Sequence, residues 1–334
     1  MGWMPGMGAN ITEKQSRAYW SSISPLAITS YSVLSDGSVQ LVVRNNAMYE
    51  ITLSGVYLND ENALKSNVTL QAGETQTVYG YVTNSGNLCS VGGTFSYTVK
   101  LIYSSTQLGS KSFTGEKPLV GSCVNSGILG LWHFDEGTGT TASDSSGNGN
   151  DATLVGTVNW VTGKIGMALE FTGSGYVDAG NSSSLGPTPE VTFAAWVKPT
   201  SLQPAWAAVV QRKIVGHWYD AVLRVYNGNR WQFAVTDGTN WTGATSSSSY
   251  YQLNTWQHVA GTYSNGTIKL YVNGELVDTA TMTKTDGTIE RLYIGKYDTG
   301  PGTQRYFLGV IDEVRVYNRA LTQGEIMALY NAGK

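Results

Sequence analysis

The side chains able to do acid–base or covalent chemistry in this chain are two adjacent carboxylate pairs, Asp135-Glu136 and Asp312-Glu313, and three histidines, His133, His217 and His258. Retaining hydrolysis of a glycosidic bond needs two carboxyl groups about 5 Å apart, one of them kept protonated by its surroundings. Alternate positions on one strand supply that spacing, whereas adjacent positions in a regular strand point to opposite faces. Both pairs here are adjacent, and no E-x-D-x-x-E pattern occurs. The histidines are isolated and no G-x-S-x-G elbow accompanies them. Neither a glycosidase pair nor a nucleophilic triad is expected, and the chain reads as non-enzymatic.

Metal binding has a firmer basis in the loop Asp144 to Asp151, DSSGNGND. Calcium takes about six to eight oxygens, which a loop of Asp, Asn and Gly can bend around it. Asp144 and Asn148 are candidate ligands, and the same residue types also form Asx turns without any ion. Zinc is not expected, because Cys89 and Cys123 have no Cys or His cluster around them.

Sugar binding calls for flat apolar surface beside amide, hydroxyl and carboxylate groups. Three stretches offer both: Trp206 with His217, Trp218, Tyr219 and Asp220; Asn229 and Arg230 in YNGNRW; and Asp237, Asn240 and Trp241 with Tyr250. The competing reading is that aromatics fill the interior, as expected for Trp196, Trp231, Phe233 and Trp256. Trp218 and Trp241 adjoin turn residues and are expected to be exposed.

Strands must hold these groups. The 334 residues are only 13% charged and carry 40 glycines, 20 tyrosines and 10 tryptophans, which suits an all-β protein with two cores. A formal net charge of -3 leaves no basic footprint for nucleic acid. From Pro25 to Phe113 short alternating segments recur, such as VQLVVRN and FSYTVKLIY, and suggest an immunoglobulin-like sandwich. Gly115 to Gly127 reads as the connection between domains. Beyond it, Asn273-Gly274 marks a tight hairpin in IKLYVNGELVDTA, as Asn227 to Asn229 does in RVYNGNRWQFAV. Thr322 and Glu325 form a capping box that opens a short terminal helix. The expected boundaries are an N-terminal segment over 1–23, a sandwich over 24–123 and a larger β domain over 126–334.

Cys89 and Cys123 read as a disulfide, with two buried free thiols as the alternative. Sequons at Asn10, Asn67, Asn181, Asn240 and Asn265 fit the oxidising, extracellular setting that a disulfide implies. No run is long and apolar enough to span a bilayer, and no signal peptide is visible.

Six motifs in order, FDEGTG, DSSGNGNDA, ALEFTGSGYVDAG, VTFAAWVKP, NTWQHVAGTYSNGTIKLYVNG and GVIDEVRVYNRAL, make residues from about 128 to 330 resemble the laminin-G-like, concanavalin-A-type jelly rolls. The resemblance implies that the first and last strands lie together, bringing Asp135 and Asp312 into one region as structural calcium ligands with Asp144 and Asn148. It also points to the pentraxin calcium loop, here YIGKYDTGPG, where Lys296 and Tyr297 replace amide and acidic groups and leave Asp298, facing Asp220. The segments SPLAITSYSV, LVVRNNAMYEITLSGVYLN, LQAGETQTV and GEKPLVGSC resemble the extracellular domains of archaeal type IV pilin-like proteins with class III signal peptides. Such proteins carry a cleaved leader and a hydrophobic helix; MGWMPGMG is the tail of that helix or a flexible start, so membrane attachment needs an anchor absent here. Together the resemblances imply a cell-surface or pilus-associated adhesin that recognises a glycan or surface glycoprotein, with pilus or filament neighbours. The alternatives are a structural subunit making protein contacts only and, third, a glycoside hydrolase.

Overall fold

The computed structural model describes residues 11–64, 67–82, 89, 93–300 and 302–333, so Asn10 and the first eight residues lie outside the described part. Two compact units are present, one ending at Ser126 and the other spanning Gly127–Gly333.

The first unit opens with a helix, Glu13–Ser21, which the sequence reading passed over. Its start is a capping box in which the Thr12 hydroxyl takes the Gln15 amide and the Gln15 side chain takes that of Thr12. Trp20 anchors it, fully buried and edge-on to Phe113. Gly115 is required there, because a Cβ would sit 2.2 Å from the indole.

One sheet pairs Leu26–Val33, Ser38–Asn45 and Thr75–Tyr81; a second is built on Ile51–Leu58 and Val99–Ser105. Leu26, Ile28, Leu41 and Val43 of the first sheet share one core with Ile51, Leu53, Val56 and Leu101 of the second. FSYTVKLIY, read as one strand, is broken at Thr98, whose amide is taken by the Asn59 side chain at 2.8 Å. Its first half pairs with Leu119–Ser122 and its second with Ile51–Leu58.

Cys89 and Cys123 are bonded, with Cα atoms 5.8 Å apart and a separation of 34 in sequence. Closing that loop restricts the unfolded chain. Reduction is expected to lower the melting temperature of the first unit by several degrees and to leave the second unchanged. Calorimetry with and without reductant checks this, and recovery of two free thiols from the unreduced, unfolded protein sinks it.

The second unit is a sandwich of two eight-stranded sheets. One runs from Val158–Thr162 through Leu308–Tyr317, Val191–Pro199 and Gln257–Ser264 to Glu275–Thr281; the other runs from Thr141–Ala142 through Ile289–Ile294, Ala208–Ile214, His217–Tyr226 and Arg230–Thr236 to Trp241–Thr245. The inner faces interlock, with Phe193 edge-on to Phe233 at 5.8 Å. Gly261 lies under that ring, where a Cβ would clash at 2.0 Å. The first strand, Ile128–Trp132, pairs with the last, Leu308–Tyr317. Asn273 and Gly274 both take positive φ in the expected hairpin turn. The terminal helix, Gln323–Ala332, starts from the Thr322–Glu325 box. Trp196 and Trp231 are buried as expected, but Trp256 is only half-buried, with the Lys198 ammonium 5.2 Å from its ring.

Candidate functional site

A cavity of about 170 Å³ opens where two hairpins meet, lined by Gly216, His217, Trp218, Tyr219, Thr236, Gly238, Thr239, Asn240 and Trp241. Strand register creates it. Ala221 lies opposite Val235, so the start of His217–Tyr226 runs past the end of Arg230–Thr236 and faces the turn that leads into Trp241–Thr245. Gly238 makes that turn at φ +93°, and a side chain there would press on His217. The Asp237 carboxylate takes the amides of Thr239 and Asn240 at 2.8 and 2.7 Å, and these bonds, Asn240 first, hold its pKa below the usual range. Trp218 and Trp241 are 55% and 37% exposed, which keeps ring faces at the cavity in contact with solvent. The volume is below the roughly 300–1,000 Å³ of sites that enclose a whole drug-sized molecule, so it suits one end of a longer ligand.

The candidate residues divide. His217, Trp218, Tyr219, Asn240 and Trp241 converge on the cavity, with Asp237 shaping its turn. Asn229 serves its own hairpin, at φ +52° with its carbonyl oxygen on the Gln203 amide. Arg230 lies over Tyr226, and Tyr250 packs against the core. Asp220 is not a surface ligand: it is fully buried between Arg212, at 2.8 and 2.5 Å, and Lys284, at 3.3 Å. The reason is charge, since a carboxylate between two cations cannot leave them in the interior. Asp298 therefore faces Lys296, at 2.9 Å, and not Asp220. The Lys296 ammonium, 4.3 and 4.4 Å from the Tyr176 and Tyr293 rings, supplies positive charge where the sequence suggested a second calcium loop.

Arg224 was missed. It lies 1% exposed in an otherwise apolar alternation, AVLRVY, and its guanidinium is ringed by Trp206, Tyr219, Tyr226, Trp241 and Tyr297 at 5.0–6.0 Å. Trp206 is a candidate here, 38% exposed and at φ +72°, unusual for a bulky residue.

At the seam of first and last strands, Asp135 takes the Met167 amide at 2.7 Å and Asp312 takes those of Lys164 and Ile165 at 2.8 and 3.0 Å, so both hold one turn. The second oxygen of Asp312 is buried without a partner. Burial, with the charges of Glu313 and Asp135, pushes this carboxyl up to about 8. Asp144 and Asn148 are occupied otherwise: Asp144 takes the amides of Leu131, Ser146 and Asn150, and the Asn148 amide group donates to Ile128 and Leu129. Among the described residues no three His, Cys, Asp or Glu side chains converge as a metal cluster. Glu313, at φ +54° beside Asp312, pairs with His133 and Arg315, and these outweigh burial to hold its pKa below the usual range. His258 is buried to a pKa of about 3 and stays neutral.

Residues 171–327 match Laminin_G_3, the model of the concanavalin A-like lectin/glucanases superfamily, and the second unit has that jelly-roll fold. Among solved structures, domain 4 of AbnA, an extracellular arabinanase of Geobacillus stearothermophilus, in complex with arabinotriose, is 24% identical. That match covers 61% of this chain and 98% of the arabinanase domain at a TM-score of 0.51. The receptor binding domain of botulinum neurotoxin C/D mosaic serotype is 14% identical over 63% of this chain at 0.51, and the binding domain of botulinum neurotoxin DC, in complex with rat synaptotagmin II, 15% over 62% at 0.50. The chain spans about half the length of each neurotoxin domain. At these identities the likeness is one of fold. No curated protein matches the chain.

Proposed function

We propose that this is a non-catalytic, extracellular protein whose second unit binds glycans at the Trp218–Trp241 cavity. The observation that carries the reading is two tryptophans, each with ring surface in solvent, flanking one cavity beside the amide of Asn240 and the imidazole of His217. Such a site stacks on a sugar's C–H face while polar groups fix its hydroxyls. The arabinotriose complex of the arabinanase domain supports this through shared fold. Binding without turnover is favoured because no carboxylate lines the cavity among the described residues. The disulfide supports an extracellular setting, and the pilin-like motifs support an adhesin displayed on a surface or filament. A glycan array probed with the full chain tests the reading; absence of any glycan ligand overturns it.

We further propose structural calcium at Asp135 and Asp312. The unpartnered buried oxygen of Asp312 and the mutual repulsion of these carboxylates fit a divalent cation, which would neutralise both. Without metal, folded Asp312 keeps its proton up to about pH 8 while the unfolded group, at 3.8, has lost it, so this group's contribution to stability falls between those values. Calcium is therefore expected to raise the melting temperature of the stripped protein more at pH 8 than at pH 5. Superimposed melting curves with calcium and with chelator at pH 8 count against it.

A further inference from the structure

Three arginines in the second unit are almost wholly buried, and two of them have carboxylate partners: Arg212 with Asp220, and Arg315 with Glu313. Arg224 has none. Its Nε donates to the Gln232 side chain at 2.9 Å and its Nη1 to the Tyr297 hydroxyl at 3.1 Å, both neutral. The Tyr219 hydroxyl, on a ring 5.4 Å from this guanidinium, is buried and hydrogen-bonds to Arg224 itself, a third neutral partner. Carboxylates on neighbouring elements are committed elsewhere, Asp237 to its own turn and Asp298 to Lys296. Ring faces offset part of the cost of burying a cation, but they supply no acceptor for a donor. A buried cation whose partners are all neutral defines a receptor for an oxyanion, which supplies the missing counter-charge.

The position relates this receptor to the cavity, because Tyr219 and Trp241 both line the cavity and pack on Arg224. The cover is thin, since Trp241 and Trp206 each keep more than a third of their surface in solvent. Trp206 lies in a turn, outside any strand, at a backbone angle that disfavours a bulky side chain. Access from the cavity runs past Trp241, the exposed ring that both lines it and packs on the guanidinium.

We propose that Arg224 is the anchor for an anionic sugar, so that the ligand class of the Trp218–Trp241 site is a glycan bearing a carboxylate or a sulfate ester. The inference rests on the glycan-binding reading of that site. A neutral sugar would stack on the tryptophans but leave the guanidinium without a counter-charge; the anionic group supplies one. The net charge of the chain is -3, so an acidic preference is not expected from bulk electrostatics and must come from a local group.

The test uses the full chain and four probes, measured by calorimetric titration: oligogalacturonate and its methyl ester, and a sulfated galactan oligosaccharide and its desulfated form. At least one acid is expected to bind ten times or more tightly than its neutral counterpart, and which pair shows the preference identifies the anionic group. Arg224→Met should erase that preference, and a preference that survives in the folded variant overturns the proposal. If the methionine variant fails to fold, Arg224→Lys keeps the charge but loses the planar fork, and a preference reduced tenfold sustains the proposal while an unchanged one overturns it. Equal binding of acid and neutral forms by the wild-type protein refutes the anchor and leaves the glycan site standing. Binding of none of the four probes, with a ligand-free glycan array, removes both.

Discussion

Asp220→Ala is expected to destabilise the second unit by about 3–5 kcal/mol, the typical effect of removing one partner from a buried ionic group. Asp220 lies between the Arg212 guanidinium and the Lys284 ammonium, all three nearly or wholly inaccessible, and Lys284 also reaches Asp286. Alanine leaves two cations in the interior with a single carboxylate, Asp286, whose side chain is largely exposed. The size of the effect separates a structural role from a ligand-binding one. A surface ligand residue changes affinity with stability nearly untouched, whereas this change should shift the urea midpoint strongly, read from tryptophan fluorescence of the full chain. The combined replacement of Asp220, Arg212 and Lys284 by apolar residues of similar volume should recover much of the loss, because no unmatched charge remains. A loss below about 1 kcal/mol for Asp220→Ala means that the triad contributes little and that Asp220 is free to take a ligand.

Features set by nearby residues were legible in the sequence, and features set by pairing across strands were not. The Thr322–Glu325 box and the Asn273-Gly274 turn each involve residues within three positions of one another, and both occur as read. The helix Glu13–Ser21 carried the same kind of signal, Thr12 with Gln15, but lies in the N-terminal segment over 1–23, to which no element was assigned. Asp220 looked like a ligand because His217, Trp218 and Tyr219 precede it; its partners are eight and 64 positions away, and only the sheet brings them in. Arg224 is the same case, since its aromatic ring of neighbours is drawn from Trp206 to Tyr297. The neighbouring carboxylates Asp312 and Glu313 show what alternation leaves out. A positive φ at Glu313 breaks the regular strand, so both side chains are buried, each with different partners. Trp218 and Trp241 were readable because each adjoins a turn, and the hairpin between them is short enough to bring both to one place.

That closeness makes the tryptophans the decisive test of binding. Trp218→Ala and Trp241→Ala are each expected to weaken glycan binding by about 1–3 kcal/mol, on the order of tenfold in Kd or more, since flat aromatic anchors carry a disproportionate share of such contacts. Stability should change little for Trp218, which is more than half exposed and belongs to no core cluster. Trp241 costs more, because it also lies edge-on to Tyr226 and 5.0 Å from the Arg224 guanidinium, so its variant loses packing as well as ligand contact. The two effects are separable by measuring each variant's melting temperature beside its affinity. A double variant that loses less than the sum of the single losses shows that both rings hold the same sugar, as expected for residues lining one cavity. If both single variants bind as wild type does while remaining folded, the ligand lies on another face of the sandwich and the cavity is not the site.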